Sequence, residues 1–144
     1  MNKDEIIPFE RIKDAFNVHC DIIKRHGKNA EGTSIASFYI GCIILSSFAC
    51  EIGLKALLSF ENKLVHGHYL NDLFNELSPQ IQENIIQCTD YNPDYFNKAL
   101  LINKDHFIKW RYYYENDGLY ADYDFMLKLF CAIKANVDTI KPER

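Results

Sequence analysis

The stretch Phe107–Glu115 places an arginine inside an aromatic run, with a glutamate one helical turn later. Arg111 and Glu115 are four residues apart, so on a helix they are close enough to pair. A guanidinium holds phosphate or carboxylate through a fixed fork of donors, and it stacks on aromatic rings. The hydroxyls of Tyr112 and Tyr113 would add donors, and flat rings can stack a nucleobase. The pattern therefore predicts a site for a phosphate-bearing ligand.

A second pair of charges interrupts an otherwise apolar segment about sixty residues earlier. Glu51 and Lys55 have the spacing and the order that favour an ion pair on a helix. Buried charge is costly unless it is paired, so one hypothesis is that Arg111 shares Glu51 and that the three side chains form the floor of a polar cleft. The alternative is structural: Arg111 pairs internally with Glu51 or Glu115, and the charges only hold the core together.

His68 directly precedes a predicted short helix, where its ring would cap the helix or contact a ligand at the amide-rich end. Zinc needs three or four converging ligands, and the scattered histidines and cysteines do not supply them, so we expect no metal. Neither a glycine-rich phosphate loop nor a Gly-x-Ser-x-Gly elbow is present, and we expect no cofactor.

The elements that position these residues are predicted to be helical throughout. The chain has 144 residues, 48% of them apolar and 25% charged, as in an ordinary soluble domain. Ser78-Pro79 and Asn92-Pro93 each resemble an N-cap followed by proline at the first helical position. We expect one all-α domain over residues 1–144, a bundle of four to five main helices with short inserted helices. The other predicted helices run from Pro8 to Gly27, from Ser34 to Phe60, around Leu70 to Leu77, from Lys104 to Asn116 and from Asp122 to Ile140.

Charge and cysteine content limit the possible partners and the compartment. The net charge is −4, so no overall basic field attracts nucleic acid, although Lys98 to Arg111 forms a local basic strip. Five scattered cysteines and a charged N-terminus without an apolar leader indicate reduced thiols and a cytoplasmic protein. Ser34–Cys50 is uncharged for seventeen residues, but its serines favour a core helix, so we expect no membrane association.

Two sequence elements together resemble a known family. The core helix contains Glu51-Ile52-Gly53-Leu54-Lys55-Ala56-Leu57-Leu58, and His68-Tyr69-Leu70-Asn71-Asp72-Leu73 follows before the Trp-Arg-Tyr segment. Over roughly Ile35 to Ile140 the chain resembles the HEPN (higher eukaryotes and prokaryotes nucleotide-binding) domains. The resemblance implies a small helical bundle that usually dimerises, often in toxin–antitoxin, phage-defence or RNA-processing systems. It also implies ribonuclease chemistry without metal in those members that carry an Arg-x(4–6)-His motif.

This chain departs from that motif, because the residues at the required spacing after Arg111 are Asn116, Asp117 and Gly118. The first reading is a non-catalytic module that forms a homodimer and binds RNA, a nucleotide or a partner protein of the same system. Its binding candidates are Arg111, Tyr112, Glu51, Lys55, His68 and Glu115. The alternative is a divergent ribonuclease toxin or antiviral effector, in which Arg111 stabilises the transition state while Tyr113, His106 or His68 replaces the missing histidine. A third reading is a structural partner subunit with a vestigial site.

Overall fold

The computed structural model describes residues 5–28, 35–111 and 120–141, and the fold over these residues is all-α. The described part contains no strand, and the predicted all-helical bundle is confirmed. The helices are α1 Phe9–Lys28, α2 Ile35–Phe60, α3 Leu70–Asn75, α4 Pro79–Thr89, α5 Pro93–Ile102, α6 His106–Lys109 and α7 Tyr123–Thr139.

Helix α2 is the centre of the bundle. It packs against α1, α7, α3 and α6, which explains why its sequence is apolar on nearly every side. Tyr39–Phe60 is long and apolar enough to cross a membrane by length and composition alone. Of its apolar 18-residue stretch, 67% is buried inside the protein. The mostly buried core helix of a soluble protein meets the same criterion of length and composition.

Side chains of α1 and α7 both approach α2 closely at Gly53. A Cβ atom at this position would lie 2.4 Å from Ile133 Cγ2 of α7 and 3.0 Å from Phe16 Cε2 of α1. Glycine is therefore the residue that lets α1 and α7 pack together against the middle of α2.

The two proline-led helices begin where the sequence predicted. The Ser78 hydroxyl accepts from the backbone N–H of Ile81, and the Asn92 side chain accepts from the N–H groups of Asp94 and Tyr95. These contacts satisfy backbone donors that have no partner inside the helix.

The helix predicted from Lys104 is shorter at its start than expected. Residues 103–105 form a turn, α6 begins at His106, and Trp110 and Arg111 follow in a tighter helical turn. The physical reason is that the Lys104 carbonyl accepts from the backbone N–H of Leu70, 3.0 Å away, and thereby anchors the start of α3. Residues 112–119, which include Tyr112, Tyr113 and Glu115, lie outside the described part of the chain.

Candidate functional site

Glu51 is a buried carboxylate that contacts one lysine and one histidine. The residue is 4% exposed. Its Oε2 lies 3.3 Å from Lys55 Nζ, and its Oε1 lies 3.0 Å from His68 Nδ1. Since a carboxylate only accepts, His68 Nδ1 is the donor, and Nε2 of a neutral ring is then left as an acceptor. The side chains of His68 and Lys55 are 58% and 30% exposed, so the cluster runs from the core to the surface.

Two elements bring this cluster together. Helical spacing places Lys55 one turn after Glu51, while the segment between α2 and α3 carries His68 back across α2. Gly67, with a φ of 114°, supplies a backbone conformation in that segment that other residues rarely adopt. The predicted capping role of the His68 ring is not seen, because the N-cap of α3 is Tyr69 and has no side-chain cap.

A cleft lies beside the cluster, with a cavity volume of about 470 Å³. Lys55 and His68 line it together with Lys63, His66 and Glu5. Its remaining walls are mostly aliphatic side chains: Ile6, Ile7, Ile12, Leu58, Leu64 and Val65. The Ser59 hydroxyl donates to the Ile7 carbonyl and holds the N-terminal segment against α2. The volume is in the range of ligand pockets, about 300–1,000 Å³.

Arg111 belongs to a separate stack of rings. Its guanidinium lies over the Phe107 ring, 4.6 Å from the centroid. Phe107 in turn stacks on Phe48 with centroids 4.3 Å apart and ring planes 14° apart, and His19 packs edge-on against Phe48. The Ser47 hydroxyl accepts from the Phe107 backbone N–H at 3.0 Å, which fixes the start of α6 against α2.

The predicted binding residues that the structure describes therefore form two groups along one face of α2. Ser47 marks the Arg111 end and Lys55 the cleft end, and eight residues correspond to about 12 Å of helix. Glu51, between them, pairs with His68 and Lys55 in place of the hypothesised contact with Arg111. The structure thus brings Glu51, Lys55 and His68 together and places Arg111 apart from them.

His106 is part of a closed hydrogen-bond network in the core. The residue is 2% exposed. Its Nε2 donates to Asn103 Oδ1 at 2.5 Å, and its Nδ1 accepts from Trp110 Nε1 at 3.1 Å. Asn103 Oδ1 also accepts from the Asp122 backbone N–H, and its Nδ2 donates to the Ala99 carbonyl. Burial lowers the pKa of His106 from 6.5 to about 4. With both nitrogens occupied and no access to solvent, this histidine is structural rather than a substitute acid or base.

The cysteines form no disulfide in the described residues. Cys20, Cys42 and Cys50 are buried, whereas Cys88 and Cys131 are exposed. Burial raises the pKa of the Cys50 thiol, which keeps it protonated and unreactive. In the described ranges, no group of three or more His, Cys, Asp or Glu side chains could hold a metal ion.

Two features of the site were not predicted from the sequence. The pairing of Glu51 with His68 was missed, although both residues belong to the motifs that carry the HEPN resemblance. The Phe48–Phe107 stack was also missed, because Phe48 falls within the uniformly apolar part of α2 and carries no distinguishing signal.

Comparison of this chain with protein-family models, curated proteins and solved structures found no match. The HEPN resemblance therefore remains a prediction from the sequence motifs. The confirmed class is an all-α helical bundle.

Proposed function

We propose that this protein is a non-catalytic, HEPN-like helical module that binds the nucleotide units of RNA on the surface formed by Arg111, Phe107 and Phe48. The observation that carries the proposal is the stacking of an exposed guanidinium on a Phe107 ring that is itself stacked on Phe48. The resemblance adds the expectation of a cytoplasmic homodimer in a prokaryotic defence or toxin–antitoxin type system.

The stack suits a nucleotide for two physical reasons. A guanidinium that already rests over a ring loses little freedom on binding, and its planar fork matches a phosphate. Arginine planes and aromatic rings also provide stacking surfaces for unpaired bases, worth about 1–3 kcal/mol per base at aromatic side chains. Lys104 and Lys109 flank the same segment, and although Asp105 pairs with Lys109 at 3.1 Å, the local balance is positive.

Binding without catalysis is favoured because the described histidines do not place an acid or base beside Arg111. His106 is buried in its own network, and His68 is held by Glu51 near the other end of the shared α2 face. His19 contacts the stack at Phe48, so it is linked to the Arg111 guanidinium only through the Phe48 and Phe107 rings.

The test is RNA binding by wild type, Arg111→Ala and Phe107→Ala, measured by fluorescence anisotropy with a single-stranded oligonucleotide and, separately, with free nucleotides. Both variants should weaken RNA binding by about tenfold, the equivalent of one lost stacking contact. Lys128→Ala on α7 removes one positive charge outside the stack and serves as the matched control. Equal affinities for wild type and Arg111→Ala, with both folded by circular dichroism, would refute the proposal. Binding of free nucleotide alone would narrow the ligand to a mononucleotide.

One observation favours a second candidate, a divergent ribonuclease centred on His68. The contact of Glu51 with His68 Nδ1 orients an exposed imidazole, as a buried carboxylate does in catalytic dyads. In this reading, Nε2 takes the proton of a 2′-hydroxyl, the 2′-oxygen attacks phosphorus, and the bond to the 5′-oxygen breaks as that oxygen takes a proton from water. The same RNA incubated with EDTA would then yield 2′,3′-cyclic phosphate ends, and His68→Ala would abolish the cleavage. Intact RNA after incubation with wild type would exclude this candidate.

A further inference from the structure

The RNA proposal does not use the 470 Å³ cleft between the segment at residues 5–8, α2 and the segment at residues 63–68. We propose that this cleft binds an amphipathic anion, namely a single carboxylate head on an unbranched aliphatic chain, with the head at Lys55. This inference concerns a different site from the RNA surface and does not rest on the RNA proposal.

The walls of the cleft fit an aliphatic chain better than a nucleobase. Six of the lining residues are isoleucine, leucine or valine, and the described lining contains no phenylalanine, tyrosine or tryptophan. A base would find no aromatic ring to stack on, whereas a flexible chain of methylenes can fill an irregular aliphatic space. Leu64 is 41% exposed, so apolar surface remains open to solvent in the absence of a ligand.

Two lysines, Lys55 and Lys63, and two histidines, His66 and His68, meet the cleft. Lys55 and His68 both contact Glu51, so they lie side by side at one place on the wall. Lys55 has three donors, and one of them is directed at Glu51 Oε2. An incoming carboxylate could therefore accept from Lys55 while Glu51 keeps its contact with His68.

The other charged groups at the cleft are less suited to hold the head. Lys63 donates to the Glu76 carbonyl at 2.7 Å and lies 3.8 Å from Glu61, so its ammonium has two acceptor partners where that of Lys55 has one, Glu51. Glu5 lines the wall as an exposed carboxylate and opposes an anion. This arrangement leaves Lys55 as the principal cation for the head and identifies Glu5 as the residue whose neutralisation should improve binding.

The experiment is isothermal titration calorimetry of the full chain with octanoate, decanoate and dodecanoate, each below its micelle concentration. Each pair of added methylenes should tighten binding by about tenfold until the cavity is filled, since a buried methylene contributes about 0.8 kcal/mol. Decylammonium, with the same chain and the opposite charge, should bind at least tenfold more weakly than decanoate. Equal binding of the two would overturn the proposed head site, and no binding of dodecanoate would overturn the proposal as a whole.

Variants locate the ligand within the cleft. Lys55→Met keeps most of the side-chain length and should weaken decanoate binding by about tenfold, whereas Glu5→Gln should strengthen it. Lys98→Met on α5 is the matched control for loss of one positive charge.

Because Lys55→Met also removes a partner of Glu51, Leu64→Trp provides an independent test: it fills the cleft from an exposed position and should abolish binding. Unchanged affinity in Leu64→Trp would mean nonspecific adsorption and would overturn the proposal. Arg111→Ala should leave decanoate binding unchanged, which separates this outcome from that of the RNA experiment.

Discussion

The Glu51 cluster predicts an asymmetry in stability between removing the buried charge and removing its partners. The first perturbation is Glu51→Gln, which keeps the shape of the side chain and eliminates the charge. The second is the double variant Lys55→Met/His68→Ala, which leaves the carboxylate in place without its two partners. The third combines all three substitutions. The double variant should be the least stable of the set.

The magnitudes follow from burial and distance. Two opposite charges 3.3 Å apart attract by about 5 kcal/mol at an effective dielectric constant of about 20. Because Lys55 is 30% exposed, solvent screening reduces this value, and the desolvation of Glu51 offsets much of the remainder. Glu51→Gln should therefore cost only about 1 kcal/mol, the net value of an ordinary hydrogen-bonded contact. The double variant leaves the Glu51 carboxylate, whose side chain is 5% exposed, without its two partners, and should lower the free energy of unfolding by about 3 kcal/mol. This value is at the low end for a broken buried pair because truncation of His68 admits water.

The assay is urea unfolding at neutral pH, followed by far-ultraviolet circular dichroism, for the wild type and the three variants. Adding Glu51→Gln to the double variant should restore about 2 kcal/mol, because the stranded charge is then gone. Lys134→Met/Asp138→Ala on α7 removes an exposed ion pair and serves as the control, with an expected loss below about 1 kcal/mol. A double variant that loses less than about 1 kcal/mol, or a triple variant no more stable than the double, would refute the reasoning.

Two further predictions concern the core. The pKa of His106 is about 4 in the folded protein and 6.5 when unperturbed, so the unfolded chain binds a proton first, and stability should fall by up to about 3 kcal/mol as the pH decreases from 6.5 to 4. Urea melts of wild type and His106→Gln across this range isolate the effect, and parallel pH profiles would contradict it. Gly53→Ala should lose about 1–3 kcal/mol, because the clash with Ile133 Cγ2 outweighs the gain of about 1 kcal/mol in helix propensity. A melting temperature equal to or above that of the wild type would show that α7 can shift to accept the methyl group.

The helices could be predicted because their signals are local. Proline after serine or asparagine marks a helix start through one or two side-chain hydrogen bonds, and both predicted starts, at Pro79 and Pro93, are confirmed. The start of the next helix, expected at roughly Lys104, lies two residues later at His106 for the opposite reason. The Lys104 carbonyl accepts a hydrogen bond from the backbone N–H of Leu70, which is more than thirty residues away in the sequence. No local pattern indicates that contact.

The site could be predicted only in part for the same reason. Spacing alone indicates that Glu51 and Lys55 face each other, and their ion pair is confirmed. Which third residue reaches Glu51 depends on how the segment after α2 returns across the helix, and that path is set by tertiary packing. The sequence suggested Arg111 because both residues interrupt apolar surroundings, whereas the structure places His68 there.

A buried carboxylate is a poor means of stabilising a helix such as α2, since a well-packed apolar residue of similar size is often as good or better. Its effect on His68 is more specific. Because Nδ1 of His68 donates to Glu51 at 3.0 Å, Nε2 is the remaining nitrogen of the ring. The His68 side chain is 58% exposed and lines the cleft. In the ribonuclease reading, Glu51 is therefore a positioning residue for His68, because it holds the tautomer whose Nε2 accepts the proton of the 2′-hydroxyl.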